Sequence, residues 1–254
     1  MPSPTRHLIN RRAIAVGKTY GAAVRPLVAM RFKRYHPIGS SVLLQIGHTL
    51  FLLSAGHVFQ EGPLFAAVRT SLVRPMGEIC LSHPSAEDPR ADIAIVRLNG
   101  EASKGFPNIP RLTLADIEDR QSTNYIVVGY PASRTQLLPA ERRARYNGLL
   151  LTAVPARDVG LHAALKTDDR FHLLLHHDPD DASDINGHRA PRLKGTSGGA
   201  VFGVTHIFDE TGEDARLAAI AIEWHAAERV IVATRIAVFI AAIRKHWPDV
   251  FHTD

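Results

Sequence analysis

Ser197 stands between glycines in the stretch KGTSGGAVFGV, Lys194 to Val204. Gly195, Gly198 and Gly199 let the backbone turn through conformations that a side chain would block. They also let a substrate carbonyl come close to the main chain. A serine held this way supplies a nucleophile. The N–H groups of Gly195 and Ser197, pointing into one concavity, supply two donors for the oxyanion that forms when a carbonyl is attacked. That is the equipment of acyl transfer. Alone, the motif also fits an ordinary tight turn, so the chemistry needs a base and an acid to orient it. His57 follows an apolar strand in TLFLLSAGHVF, Thr49 to Phe59, and Asp92 opens the apolar run DIAIVRL, Asp92 to Leu98. His48 and Asp88 are formal rivals for the two roles. His48 sits at a Gly47-His48 turn, and Asp92 is preferred over Asp88 because the buried run begins directly after it.

These phrases, in the order His, Asp, Ser, resemble those of the trypsin-like (chymotrypsin-fold) serine proteases. That family carries an LTAAH-like phrase, then a DIALL-like phrase, then GDSGGP. The likeness runs from about Val42 to the last helix. It implies an all-β chain of two six-stranded antiparallel β-barrels with a C-terminal α-helix. It also implies a catalytic triad of His57, Asp92 and Ser197, with Gly195 and Ser197 forming the oxyanion hole. The partner would be a protein or peptide substrate, with activity gated by a regulatory protein or a signal. No metal or organic cofactor is implied. The alternative is a catalytically silent pseudoprotease acting as a binding module. Quality-control proteases of the HtrA kind append a peptide-binding domain, for which the sequence after the helix leaves no room.

Two departures from the family pattern matter. Thr196 stands where trypsin-like enzymes carry the aspartate that pairs with a new N-terminus after zymogen cleavage, so that switch is not expected here. The "SWG"-like phrase that lines the family's substrate cleft reads Glu223-Trp224-His225, which makes these three the substrate-binding expectation. His225 in place of glycine would narrow the cleft. Glu223 falls where glutamate-specific relatives carry a histidine, so a preference for Arg or Lys before the scissile bond is implied.

The elements that must hold these residues can be traced in order. Residues 1–24 show little periodicity and are taken as a basic leader. The peptidase domain then covers 25–254, with a first barrel over about 25–115, a second over about 120–235, and a helix over about 236–247. Arg25 to Phe32 reads as the first strand, Pro37 to Ser41 as a turn, and Val42 to Leu53 as a hairpin around Gly47-His48. Leu64 to Val68 and Gly77 to Ser82 precede the Asp92 strand. Asn124 to Tyr130 opens the second barrel, and arginine-rich Ala132 to Gly148 is read as an exposed loop. Leu149 to Val154, Arg170 to His177, Leu217 to Trp224 and Val230 to Thr234 are further strands. Ile236 to Trp247 has helical spacing, with Lys245 near its end and Pro248 beyond. His172, His176 and Asp178 are a formal metal set, but their spacing fits no zinc signature. Asp178, Asp180, Asp181 and Asp184 are read as solvated.

At 254 residues and 45% apolar composition, the chain suits one two-barrel domain. The net charge of +5 is unevenly placed: residues 1–60 hold eight basic side chains and no acid, leaving 22 basic against 25 acidic beyond. A basic arm can bind nucleic acid or an acidic partner. No aromatic-interleaved RNA motif or helix-turn-helix pattern supports nucleic acid. Cys80 is the only cysteine, which excludes an intramolecular disulfide and suits a reducing compartment. There is no apolar run of signal-peptide or membrane-spanning length, so the expected location is cytoplasmic.

Overall fold

A computed structural model of the chain describes residues 4–69, 71–82, 92–118, 121–138, 143–177, 193–208 and 211–252. The helices are α1 (Pro4–Tyr20), α2 (Gly100–Lys104), α3 (Leu161–Ala164) and α4 (Ile236–His246). The strands of the first half are β1 (Val24–Arg31), β2 (Arg34–Ile46), β3 (Thr49–Ser54), β4 (Leu64–Val68), β5 (Ser71–Val73), β6 (Gly77–Ser82) and β7 (Ile93–Leu98). Those of the second are β8 (Asn124–Gly129), β9 (Thr135–Leu138), β10 (Arg143–Tyr146), β11 (Leu149–Pro155), β12 (His172–His176), β13 (Ala200–Val204), β14 (Arg216–His225) and β15 (Val230–Arg235).

The described strands form two antiparallel sheets. One closes into a six-stranded barrel in the order β11-β12-β15-β14-β13-β8. The other is an open, nine-stranded sheet in the order β6-β7-β3-β2-β1-β4-β5-β10-β9. The two-barrel architecture therefore has one closed member, and its partner does not join β6 to β5. The arginine-rich segment expected as a loop instead forms the β9–β10 hairpin, which reaches across to the first sheet through Arg143 opposite Ser71.

The segment Pro37 to Ser41, expected as a turn, lies inside β2. Leu27 pairs with Gly39 and Val28 with Pro37, so Ile38 is an extra residue bulged out of the ladder. A bulge bends its strand, and this one bends β2 where Gly39 and Ser40 meet the second barrel. β2 is buried on both faces, with Val42 and Leu44 in one cluster and Leu43 in another. One cluster fills the closed barrel, and a second lies in the curl of the open sheet and is met by Leu174, Ile222, Val230 and Val232 of the closed barrel. The third draws residues from both sheets and both long helices: Leu44 and Phe51, Val128 and Phe202, Val16 and Tyr20, Phe239 and Ile243.

The leader expected over 1–24 is α1. Ala13, Val16 and Tyr20 recur at helical spacing and are buried. Gly17 lies against Leu150 of β11, where a Cβ would sit 2.8 Å from that side chain. Tyr20 stacks on Phe202 at 5.1 Å between ring centroids, a pairing worth roughly 0.5–1.5 kcal/mol beyond area burial. Arg12, fully buried, forms an ion pair with Asp214. The basic segment is thus built into the body. Cys80 is partly buried against the core, and burial pushes its thiol pKa up, the direction of an unreactive thiol.

Candidate active site

β3 and β7 are neighbours in the open sheet, with Ser54 opposite Ala94. His57 begins the short 3-10 turn that follows β3, and Asp92 immediately precedes β7, so strand pairing delivers each to the other. The backbone N–H of His57 donates to Asp92 Oδ1 at 2.8 Å. The ring Nδ1 lies 2.5 Å from Oδ2. An ionised carboxylate only accepts, so Nδ1 carries the hydrogen and Nε2 presents its lone pair. Asp92 is buried, while the His57 side chain is half exposed. The Asp92 hydrogen bond raises the His57 pKa above the ordinary imidazole range; burial opposes it, and the Asp92 and Glu223 charges add to the rise. Asp88, the formal rival, lies outside the described residues.

Ser197 sits on the turn that leads into β13. Its carbonyl accepts from the Ser40 N–H at 2.6 Å, and Gly198 donates to the Ala221 carbonyl at 2.6 Å. Gly198 has φ +85, and a Cβ there would fall 1.9 Å from the Ser40 carbonyl oxygen. Only glycine fits. Gly39 bridges the two halves, since a Cβ on it would come within 2.9 Å of both the Val58 methyls and the Ser197 carbonyl. The His57 turn and the Ser197 turn therefore flank one residue. The Ser197 hydroxyl donates to the Ile222 carbonyl at 2.9 Å. Among the described residues it makes no hydrogen bond to His57.

Leu193 to Thr196 form a tight turn with Gly195 at φ +94. Thr196 closes it twice on the Leu193 carbonyl, by its backbone N–H at 3.0 Å and its hydroxyl at 2.6 Å. The Lys194 carbonyl accepts from the Ala132 N–H at 2.9 Å. In a planar trans peptide, C=O and N–H point oppositely, so this bond aims the Gly195 N–H away from Ala132. Neither the Gly195 nor the Ser197 N–H has an acceptor among the described residues.

After Ile222, itself an extra residue where β14 loses register with β15, the strand presents Glu223 and His225 on one face. The Glu223 carboxylate lies 3.1 Å from His225 Nε2 and is well exposed. Trp224 turns to the other face, with its ring edge-on to His177 at 5.8 Å. Of the formal metal set, His172 Nδ1 is at the Asp168 backbone, His176 Nε2 is 2.8 Å from Asp158, and Asp178 lies outside the described residues. No group of three or more potential metal ligands occurs among the described residues. The acidic positions Asp180, Asp181 and Asp184 also lie outside them. No helix there is long and apolar enough to cross a membrane.

Sequence reasoning missed Ser40 and Ile222. Ser40 was hidden in a Pro-Gly-Ser run whose composition reads as a turn, and Ile222 acts only through its carbonyl, which no side-chain motif announces.

Neither the models of known protein families nor the sequences of curated proteins match this chain. Solved structures do match. The serine endoprotease from Yersinia pestis superposes with a TM-score of 0.54 at 13% identity, over 99% of this chain and 68% of that one. A scabies mite inactivated protease paralogue gives 0.51 at 15% identity, over 89% and 94%. The HtrA-type protease AlgW, solved with a decapeptide, gives 0.51 at 16% identity, over 92% and 68%. The fold is that of the chymotrypsin-like serine proteases.

Proposed function

We propose that this chain is a serine endopeptidase with His57, Asp92 and Ser197 as its triad. The observation that carries the reading is the doubly bonded His57–Asp92 pair, with Gly39 packed between Val58, the neighbour of His57, and the carbonyl of Ser197, on a glycine turn whose Gly195 and Ser197 N–H groups have no acceptor among the described residues. On substrate binding the Ser197 hydroxyl leaves the Ile222 carbonyl and gives its proton to His57 Nε2 as Oγ bonds to the scissile carbon. The carbonyl electron pair moves onto oxygen, facing the Gly195 and Ser197 N–H groups. Collapse breaks the C–N bond, and His57 returns the proton to the leaving amine. Water, deprotonated by His57, then cleaves the ester and regenerates Ser197. Asp92 holds the tautomer throughout and offsets the imidazolium charge. The single cysteine suits work in a reducing cytoplasm, with control by a partner or signal; Thr196, already bonded to Leu193, needs no newly cut terminus to order the turn.

A fluorophosphonate probe with localisation by mass spectrometry tests the reading. Modification of Ser197 is expected. The hydroxyl's present bond to a carbonyl favours one other reading, a silent binding module, and a wild-type protein that leaves the probe unreacted would select it.

The raised His57 pKa places the rise of kcat/KM above the ordinary imidazole range, with a plateau beyond, because only neutral His57 accepts the proton. Glu223→Gln should move that inflection down. A profile flat across roughly pH 5–8 would remove His57 as the base. The same raised pKa favours the fold when His57 is protonated, so this contribution is full at low pH and lost as pH rises through the shifted value.

Glu223 also sets a preference for Arg or Lys next to the scissile bond, from the strand face it shares with His225; Trp224, expected beside them, lies on the opposite face against His177. An exposed pair is worth only about 0.2–1 kcal/mol. Glu223→Gln should therefore lower kcat/KM for basic peptides by roughly 1.5- to 5-fold, less in high salt. If alanine or leucine outranks arginine in the wild type, the charge is not what selects.

A further inference from the structure

We propose that Ser40 is a positioning residue for the oxyanion turn, resting on the hydrolase reading above for its chemical consequence. Ser40 is fully buried on β2, just beyond the Ile38 bulge. Its hydroxyl accepts the Tyr130 N–H at 2.9 Å and donates to the Gly195 carbonyl at 3.3 Å. Its own carbonyl accepts from the Ser54 hydroxyl at 2.7 Å, and its N–H donates to the Ser197 carbonyl at 2.6 Å. One residue of the first sheet thus uses every polar atom it has to tie β3, the end of β8 and the nucleophile turn together.

The consequence falls on Gly195 from both sides. Its following peptide is held directly, through the Gly195 carbonyl on the Ser40 hydroxyl. Its preceding peptide is held through the chain from Tyr130 to Ala132, whose N–H fixes the Lys194 carbonyl. Gly195 has φ +94 and no side chain, so nothing in its own structure resists rotation of these two peptides. Rotation of the Lys194–Gly195 peptide would replace an N–H donor with a carbonyl, which repels the developing oxyanion. Ser40 supplies the missing restraint, and it does so from the opposite half of the molecule. The positioning is therefore coupled to the seam between the sheets.

Ser41 provides a matched control. It is the next residue, equally buried, but its hydroxyl bonds to the Arg25 carbonyl at 3.3 Å. Backbone hydrogen exchange should be compared in wild type, Ser40→Ala, Ser40→Cys and Ser41→Ala. Ser40→Cys retains size with a weak donor and acceptor, so it serves if the alanine variant fails to fold. The Thr196 and Ala132 amides should exchange about tenfold faster in both Ser40 variants and within about twofold of wild type in Ser41→Ala. In parallel, kcat on a peptide amide should fall about tenfold or more with KM nearly unchanged, a fraction of the 10²–10³-fold cost of deleting an oxyanion donor. Affinity for a peptidyl boronate should fall with kcat, while affinity for the product peptide acid should hold. Unchanged Thr196 and Ala132 exchange in the Ser40 variants overturns the proposal, as does a Ser41→Ala loss of the same size and pattern. If wild type fails to acylate at all, the hydrolase reading fails, and the exchange rates still decide Ser40.

Discussion

Ser197→Ala is expected to abolish fluorophosphonate labelling and to lower kcat for peptide cleavage by about 10⁶-fold, the scale seen when a triad nucleophile is removed. The size follows from what the hydroxyl does, since without Oγ no acyl-enzyme forms and His57 has no proton to take. Stability should change little. The alanine variant gives up the bond from Oγ to the Ile222 carbonyl, a neutral hydrogen bond worth about 0.5–1.5 kcal/mol. The backbone bonds of Ser197 to Ser40 and of Gly198 to Ala221 remain. Residual turnover should come from substrate binding and the two N–H donors alone. Undiminished cleavage by this variant would sink the serine-protease reading outright.

Asp92→Asn should cut kcat by about 10⁴-fold in a protein that remains folded. The replacement is nearly isosteric, and its amide oxygen can still accept the His57 backbone N–H that now bonds Oδ1. Its NH₂ group then faces His57 Nδ1, where the carboxylate Oδ2 lies at 2.5 Å. A donor there forces the ring hydrogen onto Nε2, the nitrogen that must accept from Ser197. Charge matters as well as tautomer, because the buried carboxylate stabilises the imidazolium that forms during attack. The pH inflection should fall with it, since the Asp92 hydrogen bond is the largest cause of the raised His57 pKa. A loss of only a few-fold would place the orienting acid elsewhere.

How far the sequence exposed these features depends on whether they were written in side chains. His57 and Asp92 each adjoin an apolar run, which the strand pattern exposes; that the two belong together was legible only through the family resemblance, and the pairing of those runs as β3 and β7 brings them into contact. The β8, β11, β14 and β15 strands and α4 likewise follow from unbroken apolar periods with turn residues between them. α1 was illegible because its inward stripe contains Arg12, whose charge breaks the hydrophobic pattern until Asp214 is seen beside it. The Ile38 bulge was concealed by proline, glycine and serine, the usual vocabulary of a turn. β9 and β10 are only four residues each, β10 alternates arginine with apolar residues, and its pairing with β5 joins it to a strand far away in sequence. The turn over Leu193 to Thr196 is held chiefly by carbonyls and amides of Leu193, Lys194 and Ala132, which every residue type possesses.

The docking of α1 has a consequence for the order in which the chain is made. Tyr20 donates its hydroxyl to the Glu213 carbonyl, 193 residues further along, and Arg12 awaits Asp214. At about 5–20 residues per second, synthesis takes on the order of 10–40 s to bridge that interval. For most of it, the apolar stripe of α1 has no Phe202 to stack on, and the core shared by the two sheets has no floor. Ser40 likewise waits on β2 for Gly195 and Ser197, so the turn that carries Ser197 cannot be finished until most of the chain has emerged.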